Sequence, residues 1–334
     1  MATITPEIRF YLQSSLAIRT SNTYRSAWSS YSRFCVSCHV SSLPLDQTVL
    51  LHYSTSLARR LAYATIKVYL SGVQYYSNIQ GYQIQISHMT QLYYLLRGVR
   101  RVQGNSRRRP RRPPITVPSL YRILSYIQSQ EINIADKLLY RSVVTLAFFG
   151  MLRSAEYTCC STHTYIPEDT LLVSDVTIGP NVQSAIIVIK ASKTDPFKVG
   201  TRIRIAVTNS QLCPVTSLFN FINVHPNVHG PLFTFCNGTF LTRQLMSAFV
   251  QQALPNIVHV NTHSFRIGGA TAAASAGISD SQIQILGRWS SDAYRRYLRL
   301  SDETVAQVMS RIASVSSFTR LWDSDLCASV AREG

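Results

Sequence analysis

A run of arginine and proline constrains the fold of this chain more than any other feature. Residues 97 to 114 read RGVRRVQGNSRRRPRRPP, with eight arginines and three prolines. Proline lacks an amide hydrogen and clashes inside a helix, so the run predicts an extended, basic linker. The 334 residues are long enough for two domains, which we place at 1–103 and 118–334 on either side of a linker at 104–117.

The charge of the chain indicates its partner. Lys and Arg number 33 against 16 Asp and Glu, a net charge of +17, while 46% of the residues are hydrophobic. A folded chain with this excess is expected to bind a polyanion, and double-stranded DNA is the first choice. A membrane surface is the weaker alternative, because no apolar run of about 18 residues could span a bilayer.

The N-terminal residues and the cysteines suggest an intracellular protein. The start, MATITPEIRF, has no basic region followed by an apolar stretch, so we expect no secretion. Seven irregularly spaced cysteines are typical of a reducing compartment, the nucleus in a eukaryote and otherwise the cytoplasm. Cys35, Cys38 and His39 form a C-x-x-C-H pattern without a second ligand pair, and we interpret them as ordinary packing residues.

The first segment has the apolar spacing of helices. Residues recur three and four apart in three groups: Tyr24, Trp28 and Tyr31; Leu50, Tyr53 and Leu57; Ile66, Tyr69, Val73 and Tyr76. A further helix is predicted around Leu92 to Val99. Few acids balance the exposed cations, which favours DNA contact over a plain solvated bundle. The candidate DNA-binding residues, linker included, are Arg25, Lys67, Arg100, Arg101, Arg107, Arg108, Arg109, Arg111 and Arg112.

The second segment is predicted to mix helices with a small sheet. Leu139 to Phe149 is an apolar helix, while Ser184 to Lys190 and Thr201 to Val207 are rich in β-branched residues and predict two strands of a hairpin. An amphipathic helix is predicted in the tail after Ser301, from the spacing of Val305, Val308, Met309 and Ile312. The fold class is therefore mainly α with a small β-hairpin or sheet.

Four stretches of the second segment carry residues suited to phosphate chemistry. They are FFGMLRSAEYTCC with Arg153 and Glu156, IKASKTDPFKVG with Lys193, NTHSFRIGGATAAASAGI with His263 and Arg266, and ILGRWSSDAYRRYLR with Trp289, Tyr294 and Tyr297. The spacing of three places Arg153 and Glu156 on one helix face. Each stretch alone is explained as well by a surface ion pair or by core packing.

The joint order of these residues resembles the tyrosine recombinase, or phage-integrase, family. The family's arginine, hairpin lysine, H-x-x-R pair, His or Trp, and tyrosine correspond in order to Arg153, Lys193, His263 with Arg266, Trp289 and Tyr297. The phrases SKTDPF and LGRWSSDAYRRYLR look closest to recombinases of eukaryotic mobile elements, the DIRS-like and Crypton groups. The resemblance implies an N-terminal helical core-binding domain, a catalytic α+β domain, and a DNA recombination or integration activity.

The residue types suit attack on a DNA phosphodiester without a cofactor. Arginine binds phosphate oxygens bidentately, so Arg153 and Arg266 are expected to hold the phosphate. Lys193 is the candidate general acid for the leaving hydroxyl, and His263 assists proton transfer. Trp289 donates an indole N–H, and Glu156 positions an active-site side chain. Tyr297 would form a 3′-phosphotyrosine, with no metal or nucleotide motif in the sequence.

Several alternatives stay open at this point. Trp289 and Tyr297 are eight apart, one fewer than the resemblance leads us to expect, so Tyr294 is the alternative nucleophile. A topoisomerase of type IB and a recombinase-derived DNA-binding protein without catalysis are the other functions considered. The resemblance implies a dimer on one site and a tetramer in synapsis. The tail helix either docks on a neighbouring subunit or folds back on its own domain.

Overall fold

The computed structural model describes residues 5–104, 106, 110–193, 195–225, 229–298, 306 and 309–310, without the side chains of residues 9 and 13. The chain forms two compact units, Met1–Pro110 and Arg111–Gly334. Arg107, Arg108 and Arg109 lie outside the described residues, as does most of the predicted tail helix after Ser301. None of the described helices is long and apolar enough to cross a membrane.

The N-terminal unit is helical, as its periodicity predicts. Its helices are α1 (Pro6–Ser14), α2 (Ile18–Ser37), α3 (Gln47–Ala58), α4 (Tyr63–Ile79) and α5 (Thr90–Gln103). The predicted apolar positions form its core, with Tyr31, Tyr53 and Ile66 fully buried. The helix predicted around residues 92–99 is longer than expected and runs through Arg100 and Arg101. The first part of the Arg/Pro run is therefore helical, since its prolines begin only at residue 110.

Close approach of α2 and α4 explains a glycine in the middle of a helix. A Cβ added to Gly72 would lie 2.8 Å from the Cβ of Ala27 and 3.0 Å from the Cα of Tyr24. Beside this contact the ring of Trp28 stacks on that of Tyr76, with centroids 5.6 Å apart. Small residues at the crossing thus let the two longest helices of the unit bury their aromatic faces against each other.

The C-terminal unit combines six described α-helices with one sheet. The helices are α6 (Val117–Ser129), α7 (Ile134–Phe149), α8 (Pro214–Ile222), α9 (Arg243–Ala253), α10 (His263–Ser275) and α11 (Asp280–Gly287). The strands are β1 (Val176–Ile178), β2 (Ser184–Ile189) and β3 (Thr201–Ala206), antiparallel in the order β1-β2-β3. The predicted fold class, mainly helical with a small sheet, is confirmed.

The sheet contains one strand that the sequence pattern missed. β2 and β3 pair as predicted, from Ser184 opposite Ala206 to Ile189 opposite Thr201. β1 pairs with the other edge of β2, and its three residues are too short to show a readable alternation. Alternate residues of β2 are buried against the core of the unit, so the hairpin is anchored by its inner strand.

Two adjacent glycines bring α10 against α7. A Cβ on Gly268 would lie 1.9 Å from the carbonyl oxygen of Ile115, and one on Gly269 would lie 2.3 Å from that of Phe148. Any side chain at these positions would therefore push α10 away. The small residues of HSFRIGGATAAAS place the start of α10, with His263 and Arg266, close to the segment that follows α7.

Candidate active site

Arg153 and Glu156 form the first part of a buried charge network. Helix α7 ends at Phe149 and Met151 has a positive φ of 45°, so the two residues lie in a 3-10 turn (Ser154–Glu156) and its first flank. The prediction that they share a helix face is wrong, because this break separates them from α7. Glu156 Oε1 accepts from Arg153 Nη1 at 2.9 Å, and Oε2 accepts from the Arg153 amide at 2.9 Å.

Arg288 is the second partner of Glu156, and the sequence analysis did not single it out. Its Nη2 lies 2.8 Å from Glu156 Oε2, and its Nη1 donates to the carbonyl oxygen of Gly150 at 3.1 Å. Arg288 follows α11 with a left-handed φ of 56°, which directs the chain back toward the 150–156 segment. One signal could have found it: Arg288 stands nine residues before Tyr297, the spacing that Trp289 misses by one.

Arg266 is completely buried next to this network. Its Nη1 donates to the carbonyl oxygen of Met151 and its Nη2 to that of Gly287 at 2.5 Å, while its Nε has no partner among the described residues. The guanidinium carbon lies 4.1 Å from the centroid of the Trp289 ring. Burial, followed by the charge of Arg153, lowers the pKa of Arg266 to about 9, so the side chain stays cationic at neutral pH.

Trp289 packs between the two candidate tyrosines. Its ring centroid is 6.1 Å from that of Tyr294 and 5.4 Å from that of Tyr297. Gly287 makes room for the indole, since a Cβ there would lie 1.6 Å from Trp289 Cζ3. The tyrosine helix predicted from the sequence is a five-residue 3-10 turn (Asp292–Arg296), and Tyr297 follows it as its C-cap.

The two tyrosines differ in burial and in hydrogen bonding. Tyr294 is 2% exposed, and its hydroxyl donates to Asp280 Oδ2 at 3.0 Å. Tyr297 is partly exposed, and no hydrogen bond to its hydroxyl is found among the described residues. Its backbone oxygen accepts from Thr271 Oγ1 at 3.0 Å, which ties the end of the turn to α10.

His263 occupies the first position of α10, beside Tyr297. Its amide donates to Asn261 Oδ1 at 2.9 Å, and its ring meets the Tyr297 ring edge to face at 5.3 Å. Burial lowers the pKa of His263 to about 4, and the charges of Arg112, Arg266 and Arg153 add to the effect. The imidazole is therefore neutral at pH 7 and able to accept a proton.

Lys193 is not bonded to this cluster within the described residues. It lies exposed in the connection between β2 and β3, and within the described residues no ion pair or hydrogen bond links it to the other candidates. Five of the six predicted catalytic residues therefore gather in one place: Arg153, His263, Arg266, Trp289 and Tyr297. They come from three stretches of sequence up to 144 positions apart, joined through Glu156 and Arg288.

A basic groove lies on the N-terminal unit. Its volume is about 420 Å³, and its lining residues are Arg25, Ser26, Ser29, Ser30, Arg33, Arg60, Leu61 and Tyr69. No carboxylate lines this groove, so three guanidinium groups and several hydroxyls face an open space. The remaining described DNA-binding candidates are exposed: Lys67, Arg100, Arg101, Arg111 and Arg112. Arg111 and Arg112 belong to the C-terminal unit, where the charge of Arg112 acts on His263.

Comparison with known proteins shows the fold. No protein-family model matches the chain, and no curated protein sequence matches it. Among solved structures, XerH site-specific recombinase bound to palindromic difH substrate, a post-cleavage complex, is 17% identical, with a TM-score of 0.59 over 89% of this chain and 80% of that one.

Two further solved structures share the fold at similar identity. A lambda integrase dimer bound to a COC′ core site is 15% identical, with a TM-score of 0.54 over 85% of this chain and 72% of that one. The Tn1549 transposon integrase in complex with transposon right end DNA is 15% identical, with a TM-score of 0.50 over 81% and 86%. The chain thus has the fold of site-specific recombinases and integrases.

Proposed function

We propose that this protein is a DNA breaking-rejoining enzyme, a site-specific recombinase or integrase, that acts through a covalent 3′-phosphotyrosine. One observation carries the proposal. Five predicted residues from three of the four sequence motifs converge on a single cationic cluster that includes the partly exposed Tyr297, in a chain with the fold of recombinases. An ion-pair network with a purely structural role would not require a histidine and a tyrosine next to the arginines. Strand cleavage, by contrast, uses a nucleophile, cations and a proton acceptor together.

The cations of the cluster suit a phosphodiester in different ways. The side chain of Arg153 is 18% exposed, so it can bind a non-bridging oxygen of a phosphate that approaches from the solvent side. Glu156 meanwhile binds Nη1 of the same guanidinium group. Arg266 presents no exposed donor, so in this state it supplies positive charge and supports the Trp289 ring from behind. Direct contact of Arg266 with phosphate requires a rearrangement that exposes its guanidinium group. Preorganised charge of this kind stabilises the transition state. Each donor typically raises the reaction rate by a factor of about 10²–10³.

Tyr297 is the proposed nucleophile, and His263 the group that takes its proton. A phenol must lose its proton as it attacks phosphorus. The negative charge of a bound phosphate is expected to raise the pKa of the neighbouring imidazole from its low value toward the range in which it accepts that proton. Attack forms the Tyr297–phosphate bond and breaks the bond to the 5′ oxygen, which leaves as a hydroxyl once protonated. Resealing reverses these steps, so the phosphotyrosine conserves the bond and no cofactor is required.

Lys193 is the proposed general acid for the 5′ oxygen. Its flexible side chain stands on an exposed connection, which suits a residue that reaches the reacting phosphate only when DNA is bound. This role requires the β2–β3 connection to lie against the DNA.

The difference between the tyrosines supports Tyr297 over Tyr294. The Tyr294 hydroxyl is buried and bonded to Asp280, so its attack on DNA would break that bond and expose a core ring. Tyr297 lies at the end of a short turn next to His263. In this proposal Tyr294 is a packing residue, and its hydrogen bond anchors the turn to α11.

The DNA partner is expected to contact both units. The groove around Arg25, Arg33 and Arg60 is the proposed phosphate-binding surface of the N-terminal unit. We further propose a dimer on one site and a tetramer in synapsis. The wording of SKTDPF and LGRWSSDAYRRYLR supports an origin among eukaryotic mobile elements of the DIRS-like and Crypton type.

Covalent trapping tests the proposal. DNA fragments that the protein retains from a random duplex pool are rebuilt with a nick close to each candidate cleavage position, so that the released end diffuses away. We expect a denaturation-resistant adduct from the unaltered protein and from Tyr294→Phe, and none from Tyr297→Phe. Binding without any adduct at any nick position would instead favour a recombinase-derived DNA-binding protein. An adduct that persists in Tyr297→Phe and vanishes in Tyr294→Phe would reverse the assignment.

A further inference from the structure

The connection between β2 and β3 exposes two apolar side chains. Phe197 is 88% exposed and Val199 is 85% exposed, the highest values among the large hydrophobic residues of the described C-terminal unit. Isolated exposed apolar residues are common on protein surfaces. An almost fully exposed phenylalanine two residues from a second exposed apolar side chain, however, contributes little to the stability of the fold. Such a pair is suited to contact with a partner.

Hydrogen bonds from backbone amides to Asp195 fix the conformation of this connection. Asp195 Oδ2 accepts from the Gly200 amide at 2.7 Å, and Oδ1 accepts from the Val199 amide at 3.1 Å. Lys198 and Gly200 both have positive φ, 54° and 78°, and a Cβ on Gly200 would lie 3.2 Å from the carbonyl oxygen of Ile189. Lys198 Nζ also lies 2.5 Å from Asp169 Oδ1. These bonds hold the turn closed around Asp195 and leave Phe197 outside it.

Three exposed cations flank the two apolar residues along the chain, while the acids Asp169 and Glu168 act on Lys198. Lys193 precedes them in the same connection, and Arg202 and Arg204 are exposed at alternate positions of β3. None of these three cations has an ion pair among the described residues, whereas Asp195 is engaged by backbone amides and Asp169 by Lys198. An apolar tip between unpaired cations matches a ligand with an anionic edge and an apolar interior, which is the combination that duplex DNA offers.

We propose that Phe197, with Val199 beside it, is a wedge that enters the minor groove and separates two stacked base pairs of the bound duplex. The inference rests on the proposed function for its partner. Apolar side chains that enter the minor groove this way unstack a base step and kink the duplex, at a cost of a few kcal/mol. The contacts that a bent duplex makes with the surrounding cations offset that cost.

The wedge acts close to the reacting phosphate. Phe197 follows Lys193 by four residues, so the Cα atoms of the two residues are at most about 14 Å apart. That length corresponds to roughly four base steps of about 3.4 Å. If Lys193 serves the 5′ leaving group, Phe197 therefore kinks DNA within a few base pairs of the cleavage position, and flexible pyrimidine–purine steps there are the cheapest to deform.

Preference for deformed DNA tests the wedge. Dissociation constants are measured on a 30-base-pair duplex and on the same duplex with two central mismatched pairs, whose stacking is already weakened. We expect the unaltered full chain to prefer the mismatched duplex by about tenfold or more, because it avoids the unstacking cost. Phe197→Ala should lose this preference and Phe197→Leu should retain most of it. Ile134→Ala, which truncates a side chain that is 65% exposed at the start of α7, is the control.

Each result bears on one proposal. Failure of the unaltered protein to bind either duplex refutes DNA as its partner and with it the proposed function. Equal binding of both duplexes, or a preference that survives in Phe197→Ala, refutes the wedge alone. Sedimentation without DNA tests whether a second copy of the chain covers this tip instead. A dimer that Phe197→Ala converts to monomer would assign the tip to self-association and overturn the inference.

Discussion

Arginine serves two different purposes in the two units of this protein. Residues 1–110 contain 13 Lys and Arg against two acids, and residues 111–334 contain 20 against 14. On the N-terminal unit the arginines of the groove are exposed and face no carboxylate. On the C-terminal unit Arg153, Arg266 and Arg288 surround Glu156, whose side chain is 1% exposed.

The difference shows that net charge and chemical function need not reside in the same arginines. Exposed charges interact across water and are screened beyond about 8–10 Å at physiological salt, so they supply affinity for a polyanion but little geometry. Buried charges interact strongly and must be compensated, so their positions are defined by specific hydrogen bonds. The N-terminal unit is thus suited to attract DNA, and the C-terminal cluster to act on one phosphate.

The largest effect is expected from Glu156→Gln. The substitution keeps the size of the side chain and removes the carboxylate that compensates the buried arginines, which should cost about 3–5 kcal/mol in the free energy of unfolding. Urea titration measures the loss. Glu168→Gln, at an exposed position, should change stability by less than about 0.5 kcal/mol. A Glu156→Gln protein as stable as this control would show that the cluster is solvated like the groove.

The next largest effect concerns the pH dependence of stability. The pKa of His263 is about 6.5 in the unfolded chain and about 4 in the folded protein. Between these values the unfolded chain binds a proton that the folded protein does not. The folded state therefore loses stability as pH falls from 6.5 to 4. His263→Gln should remove this loss and gain about 2–3 kcal/mol relative to the unaltered protein over that interval. His163→Gln, at an exposed position, is the control. A difference between the proteins that is independent of pH would contradict burial of a neutral imidazole.

A smaller effect is expected from Arg33→Ala in the groove. Loss of one phosphate contact should weaken DNA binding by about tenfold or less and lower the slope of log affinity against log salt by about one. Arg19→Ala, on the same helix but outside the groove lining, should lower the slope less. Protein stability should not change in either variant. An unchanged salt slope in Arg33→Ala would remove the groove from the DNA-binding surface.

The smallest effect is expected from Tyr294→Phe. The change deletes the hydrogen bond to Asp280 and keeps the buried ring, and water can solvate the exposed Asp280 carboxylate, so we expect a loss of only about 0.5–1 kcal/mol in the free energy of unfolding. DNA affinity and its salt dependence should stay as they are, because this tyrosine belongs to the interior of the cluster. A strong loss of affinity at constant stability would place the Tyr294 hydroxyl on DNA.

The elements of the fold could be predicted where the pattern is local. Helices α2, α3 and α4 follow from apolar residues three and four apart, and β2 and β3 from runs of β-branched residues. Strand β1 was missed because three residues show no period. The helical start of the Arg/Pro run was missed because the run was assigned from its prolines, which begin only at residue 110. Its first arginines are good helix formers, and α5 ends earlier, before Gly104 with its positive φ.

The sequence by itself determined which side chains were available: the excess of cations, the order of Arg153, His263, Arg266, Trp289 and Tyr297, and two tyrosines three apart. The tertiary structure decided how they are used. Arg288 meets Glu156 across 132 positions, Arg266 is buried against the Trp289 ring, and Lys193 is exposed on the hairpin. Periodicity and propensity act over a few residues, whereas an ion pair or the burial of a guanidinium depends on how closely distant helices approach. That approach is controlled by packing at Gly268 and Gly269, where any Cβ would collide with the distant residues Ile115 and Phe148.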